Sequence, residues 1–371
     1  MDDFLFEGLH LLVAEDGENL RTRNLPIAFL ASGRFWVNNH AHIIRGNGHA
    51  DTRFLLYALL AADVTSYLSG STMPKLTQGN LNRIKIRVPS DKKEQEAVAS
   101  VLGALDDKIE LNKQMNETLE AAIRAIFKDW FVDFGPTRAK MNGCAPYLPP
   151  NVFSLFPADL DDERKPTGWT TESVYDQAIW VNGAAYKDMH FSEEPDALPV
   201  VKIAELKNGI TATTRFTNTD LGYRYRIRNG ELLFSWSGNP DTSIDTFIWP
   251  AGEAWLNQHI FAVRPNGKRS QVFLYAMLKY LKSEFAEIAR NKQTTGLGHV
   301  TQQDLIRLKI TSPSPKIQAA FDEIVGPLHA RYTSNLFESQ TLAAVRDLLL
   351  PRLMSGEVRV RDAEKIVGRA V

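Results

Sequence analysis

The sequence holds a single cysteine, Cys144, which excludes an internal disulfide and most cysteine-based zinc sites. Long apolar runs are missing too. The longest candidate, residues 54–64, falls well short of the roughly 18 residues a membrane span needs, so no membrane partner is expected. The opening MDDFLFEGLH places acids rather than bases before its apolar patch, which argues against a secretory signal and for a cytoplasmic protein. Charge of one sign is also lacking: the net charge is −1, with a pI near 6.7. Any nucleic-acid role must therefore rest on local patches. Neither a G-x-x-x-x-G-K-[ST] phosphate loop nor a dinucleotide fingerprint occurs. At 371 residues the chain exceeds one ordinary core and suggests two or three domains.

The most informative stretch is residues 91–134, which lacks Pro, carries one interior Gly and is dense in Ala, Leu, Glu, Lys and Gln. Stepping by four and three gives Val98, Leu102, Leu105, Ile109, Asn112, Asn116, Leu119, Ile123, Ile126 and Trp130. That is an a/d seam, apolar at both ends and polar in the middle. A helix of roughly 38 residues would be about 57 Å long. It is too charged for a membrane span and needs a partner helix. Residues 314–355 supply one, with the seam Ile317, Phe321, Ile324, Leu328, Arg331, Asn335, Glu338, Leu342, Val345 and Leu349. The central Asn112 recurs as Asn335, 223 residues on, and helical periodicity alone would not reproduce that polar interruption. An Asn112–Asn335 pair is expected to set helix register, unless both lie at the edge of the seam and face water.

The duplication reaches upstream of the helices. FWVNNHAHIIRGNG (residues 35–48) and AWLNQHIFAVRPNG (residues 254–267) share Trp, Asn, His, Arg and a closing Asn-Gly at a spacing of 219. LTQGNLNRIKI (residues 76–86) matches VTQQDLIRLKI (residues 300–310). The chain thus reads as one module used twice, a mixed globular part followed by a long helix. Strands are expected at residues 40–45 and 259–264, helices at 52–68 and 270–288, and basic strands at 83–88 and 307–310. The expected division is 1–90 (first globular domain), 91–134 (long helix), 135–168 (Pro-flanked, acidic linker), 169–313 (second globular domain), 314–355 (second long helix) and 356–371 (tail). Only 35 residues precede Trp36, so the first module is expected to lack its opening portion.

Several strings mimic catalytic motifs. Asp133-Phe134-Gly135 spells the kinase magnesium triplet without the rest of the kinase signature. Glu163-Arg164-Lys165 after Asp159 faintly suggests a nuclease triad, and an acidic linker explains it better. Asn239-Pro240 is followed by Asp241 and reads as a turn. His40 and His42 would share one strand face, as metal ligands sometimes do. Phe261 replaces His42 in the second copy, however, and a core or turn-stabilising imidazole is the better reading. No catalytic centre or metal site emerges.

What remains are two loops with a composition suited to DNA. Lys75, Thr77, Gln78, Arg83, Lys85 and Arg87 mark the first; Arg290, Lys292, Gln293, Thr294, Thr295, His299, Thr301, Gln302, Arg307 and Lys309 mark the second. Lys and Arg serve phosphates, while Gln, Asn and Arg can pair with base edges. A solvated loop followed by an amphipathic strand accounts for the same composition. Trp236 and Asp16-Gly17 are weaker candidates.

The string LGALDDKIELNKQMNETLEAAIRAIFKDWFVDFGPTRAK (residues 102–140) closely resembles the central conserved region of the specificity subunit of type I restriction–modification enzymes, and LAAVRDLLLPRLMSGEV (residues 342–358) its distal conserved region. The resemblance covers nearly the whole chain. It implies an α+β fold in which two mixed α/β target-recognition domains are separated by two long antiparallel coiled-coil helices, with an internal pseudo-two-fold repeat. Leu105, Asn112, Leu119, Leu328, Asn335 and Leu342 would line the helix-pair seam. Each domain would read half of a bipartite, asymmetric site in double-stranded DNA, the helices acting as a ruler. By the same resemblance the chain is non-catalytic and binds no cofactor. Two modification (methyltransferase) subunits would carry S-adenosylmethionine, and restriction subunits ATP and Mg²⁺. The alternative is a truncated structural relic or regulator that binds the modification subunit without reading a full site.

Overall fold

The computed structural model describes residues 4–293 and 296–370. It divides into two compact units: Met1–Asn112 with Thr211–Thr213 and Glu338–Val371, and Lys113–Ile210 with Thr214–Phe337. Both long helices, Lys92–Phe131 and Pro315–Ser355, contribute one part to each unit. The fold class is α+β, with mixed globular parts and helices of 40 and 41 residues.

In the first unit, His10–Ala14 lies between Ala28–Ala31 and Ala41–Ile44, antiparallel to both. The helix Thr52–Ala61 follows, its first turn capped by the Asp51 carboxylate, which accepts from the Phe54 amide. Leu11, Val13, Phe54 and Tyr57 share a buried core with Val98, Leu102 and Leu105 of the first long helix and Leu342, Leu349 and Leu353 of the second. Gln95, fully buried, ties that helix to the preceding turn: its amide accepts from the Asp51 N–H and donates to the His49 and Pro89 carbonyls. The helices run antiparallel here, since Asp106 meets Arg346 at 2.8 Å and Asn112 meets Glu338 at 2.8 Å.

The second unit is larger. Ala178–Asn182, Ile260–Pro265, Leu232–Ser235 and Asp245–Ile248 form an antiparallel sheet in that spatial order. A second sheet joins Phe216–Thr217, Leu198–Val201, Ala254–Leu256 and Arg226–Ile227, with the middle pair parallel. Thr170–Ser173 pairs with Lys309–Ser312. Phe127, Trp130 and Phe131 of the first long helix pack on Phe273, Phe321 and Trp169. The helices are antiparallel here too: Asn116 meets Asn335 at 2.9 Å, and the rings of Phe131 and Phe321 are 5.0 Å apart.

Several expectations need correction. The helix at 52–68 ends at Ala61 and gives way to a short 3-10 turn, Thr65–Tyr67. The helix at 270–288 is two helices, Gln271–Tyr280 and Lys282–Asn291, interrupted at Leu281. Residues 83–88 are not a strand; no strand pairs with them among the described residues. Arg307 ends the helix Gln302–Arg307, and the strand begins at Lys309. The supposed linker is packed: Gly135–Met141 and Pro150–Phe153 are helical, and Val152 and Phe156 enter the core. The tail contains the helix Val360–Ala370, with Ala363 fully buried.

The seam is also rewritten in its middle. Antiparallel pairing sets Asn335 against Asn116 rather than Asn112, whose amide instead donates to Glu338 and Ser339. Leu105, Asn112, Asn335 and Leu342 are buried, while Leu119 and Leu328 are half-buried. Arg331 is exposed, and Val325 and His329 take the inward positions. The drift falls beside Pro327, which cannot donate to the Glu323 carbonyl. Both residues lie on the exposed face, where water can serve that carbonyl.

Candidate nucleic-acid interface

In the first unit the loop at residues 69–75 closes on itself, with the Ser69 and Lys75 backbones exchanging two hydrogen bonds of 2.8 and 2.7 Å. Lys75 also pairs with Glu15 at 3.0 Å. Thr77 caps the short helix Gln78–Leu81 by accepting from the Asn80 amide, so its hydroxyl oxygen is engaged; Gln78 is exposed. Beyond it, exposed Arg83, Lys85 and Arg87 alternate with half-buried Ile84, Ile86 and Val88. The three cations make no ion pair among the described residues, a basic row free to meet phosphates. His40 and His42 are occupied elsewhere: His40 contacts Asp16 at 2.8 Å, and His42 the Leu76 carbonyl at 2.6 Å.

In the second unit the basic loop is anchored at both ends. Arg290 reaches Asp241 at 2.8 Å, and the Lys292 ammonium sits 2.5 Å from both oxygens of Asp304. Asp304 is itself held in a capping box with Thr301, which donates through its amide and its hydroxyl. Burial alone would raise this carboxyl, but the hydrogen bonds from Lys292 and Thr301 outweigh it and hold the group below its usual range. Lys292 therefore positions the loop. Among the described residues, exposed Asn291, Gln293 and Leu297, followed by half-buried His299, are left to face a ligand. Thr294 and Thr295 lie outside the described residues.

Pairing of Ser237–Gly238 with Gly298–His299 brings this loop against residues 236–241. A Cβ on Gly298 would lie 2.2 Å from the Ala289 carbonyl oxygen, so the close approach requires glycine. Trp236 donates from its indole to Asn182 and stands 5.5 Å from the His259 ring. Asn239 accepts from the amides of Asp241 and Thr242, the turn its Asn-Pro sequence implies. Gln302 and Arg307 are exposed on the helix that follows, and Lys309 on the strand after it. Composition picked out the cations and missed the carboxylates that hold them. The Thr-x-x-Asp spacing at 301–304 was the available signal for Asp304.

No group of three His, Cys, Asp or Glu side chains among the described residues is placed to hold a metal ion, and no helix there is long and apolar enough to cross a membrane. The arrangement offers cations, amides and hydroxyls at solvent-facing loops, which suits binding to a polyanion.

A family model described as the type I restriction modification DNA specificity domain matches residues 2–121 and 166–339. The chain is 26% identical over 360 residues to the type I restriction enzyme HindI specificity subunit of Haemophilus influenzae, covering 82% of this chain and 77% of that protein. It is 26% identical over 363 residues to the MjaIX specificity subunit of Methanocaldococcus jannaschii, covering 95% and 80%. A crystal structure of the type I restriction-modification S subunit from M. genitalium aligns over 95% of this chain and 84% of that one, with 17% identity and a TM-score of 0.48. With the match spanning most of both globular parts, the chain belongs to the type I restriction modification DNA specificity family.

Proposed function

We propose that this chain is the non-catalytic DNA sequence-recognition subunit of a type I restriction–modification complex and the scaffold on which the methyltransferase subunits dock. The observation that carries the reading is the family match at two separate segments, 2–121 and 166–339, each ending within a long helix. Each globular part reads one half of a bipartite, asymmetric site in double-stranded DNA, and the long helices set the interval between halves. In the first unit Arg83, Lys85 and Arg87 contact phosphates, with Gln78 beside them. In the second, Gln293, His299 and Gln302 face the bases, and Arg290 and Lys292 hold the loop that presents them.

Two modification subunits bring S-adenosylmethionine, and restriction subunits bring ATP and Mg²⁺. The near-neutral charge of this chain fits such an assembly, because partners can supply phosphate contacts while this chain supplies discrimination.

The test is a mobility-shift titration of the chain, purified with its modification subunits, against a library of duplexes at fixed salt. Recovery of one two-part sequence is expected. A complex that forms with its partners yet binds all duplexes equally would overturn the reading in favour of a scaffold without readout.

A further inference from the structure

The sheets of the two units share one register. Leu12 lies opposite Phe29 and Ile43 in the first unit; Leu233 lies opposite Phe247 and Ala262 in the second. One step along, Val13 faces Ala28 and His42, as Phe234 faces Thr246 and Phe261. The isolated Asp16–Lys75 bridge corresponds in the same way to the Ser237–His299 pair. The second unit then adds a strand with no counterpart among the described residues of the first. Ala178–Asn182 runs along the outer edge of Ile260–Pro265 through five residue pairs, whereas Ala41–Ile44 is an edge strand.

A second vacancy lies at residues 85–88. They correspond to Lys309–Ser312, 224 positions later, which pair with Thr170–Ser173 along their whole length. In the first unit, no backbone amide or carbonyl of residues 85–88 is hydrogen-bonded among the described residues. A row of unpaired donors and acceptors, on a segment whose side chains alternate between exposed and half-buried, is a template for another strand. Beneath it lies a cavity of about 230 Å³, with Ile44, Ile84 and Ile86 on its apolar side and His42, Gln78 and Asn82 on its polar side.

One continuous stretch fills both positions in the second unit. Thr170–Ser173 leads through the turn Tyr175–Gln177 into Ala178–Asn182. Between them, fully buried Val174 joins the core, and its amide donates to the Leu308 carbonyl. Charge agrees as well. Residues 169–182 carry Glu172 and Asp176 and no Lys or Arg. The vacant edges of the first unit carry exposed Arg45, Arg83, Lys85 and Arg87, with no ion pair to any of them among the described residues.

We propose that the first unit is a receptor for an acidic strand–turn–strand polypeptide segment from outside this sequence, of the same chemistry as residues 169–182. It pairs along Ala41–Ile44 and residues 85–88 at once, and an apolar side chain at its turn fills the cavity. Lys309 stays exposed when its strand is paired, so this docking leaves the side chains of the basic row available. The proposal does not depend on the DNA-recognition reading.

The test uses the full chain and a fluorescein-labelled peptide with the sequence of residues 168–183. Saturable binding by anisotropy is expected, together with at least ten-fold slower hydrogen exchange at residues 42–46 and 85–88. A scrambled peptide, and one carrying Val174→Asp, should bind at least ten-fold more weakly. These controls need no altered protein. Absence of binding, or protection confined to other residues, would overturn the proposal. Equal protection by duplex DNA alone would assign the edge to nucleic acid. Protection that rises with protein concentration without peptide would assign it to a second copy of the chain.

Discussion

At the scale of single residues, the chain commits its charges unevenly. Lys292 has the composition of a DNA contact but spends its ammonium on Asp304. Lys292→Ala is therefore expected to loosen residues 296–299, seen as faster amide exchange there, and to weaken recognition of one half-site only. Equal loss at both halves would point to misfolding instead. His329 shows a different economy. Its ring is buried against Tyr275, 4.9 Å away, and burial pulls its pKa down to about 4. Because the unfolded chain binds the proton near pH 6.5 and the folded one does not, stability from this site is complete above 6.5 and is lost as pH falls toward 4. The loss amounts to about 3 kcal/mol over that window. In urea titrations, His329→Phe should flatten the pH dependence between 6.5 and 4; an unchanged slope would show that the ring titrates normally. The Thr-x-x-Asp spacing marked Asp304 as a cap but not as the partner of Lys292, and nothing in the sequence marked His329 as buried.

At the scale of elements, the long helices and the strands Ala41–Ile44 and Ile260–Pro265 were legible, because period and alternation are sequence properties. The inner partners were not. An Asn repeated at 112 and 335 suggested that the two meet, yet antiparallel packing sets Asn335 on Asn116 and gives Asn112 to Glu338 and Ser339. Strands His10–Ala14 and Ala28–Ala31 went unread as well, being short apolar runs without alternation. Trp36 and Trp255 are matched in sequence, but Trp255 is 5% exposed and Trp36 52%. Trp255 lies in the strand Ala254–Leu256, which pairs with Arg226–Ile227 on one side and Leu198–Val201 on the other; in the first unit Arg34–Phe35 pairs with Phe6–Glu7, as Ala254 does with Ile227, and nothing among the described residues stands for Leu198–Val201. The Asn335–Asn116 contact should behave as a buried polar pair. Asn335→Ala strands the Asn116 carbonyl and is expected to cost about 1–3 kcal/mol. The double change Asn116→Leu with Asn335→Leu should recover most of that, read from urea midpoints. Additive losses in the double variant would show that the two side chains act independently.

For the molecule as a whole, what was legible was membership of a recognisable family; candidate base contacts were not separable, because the same Lys, Arg, Gln and Thr composition suits a solvated loop equally well. The central claim is that each globular part reads its own half of the target. Replacing residues 169–313 with the corresponding segment of a relative of different specificity, then sequencing the bases methylated by the reconstituted complex, measures this directly. The account predicts a hybrid motif in which one half changes and the other is retained. A motif that stays whole, or changes in both halves together, would contradict it.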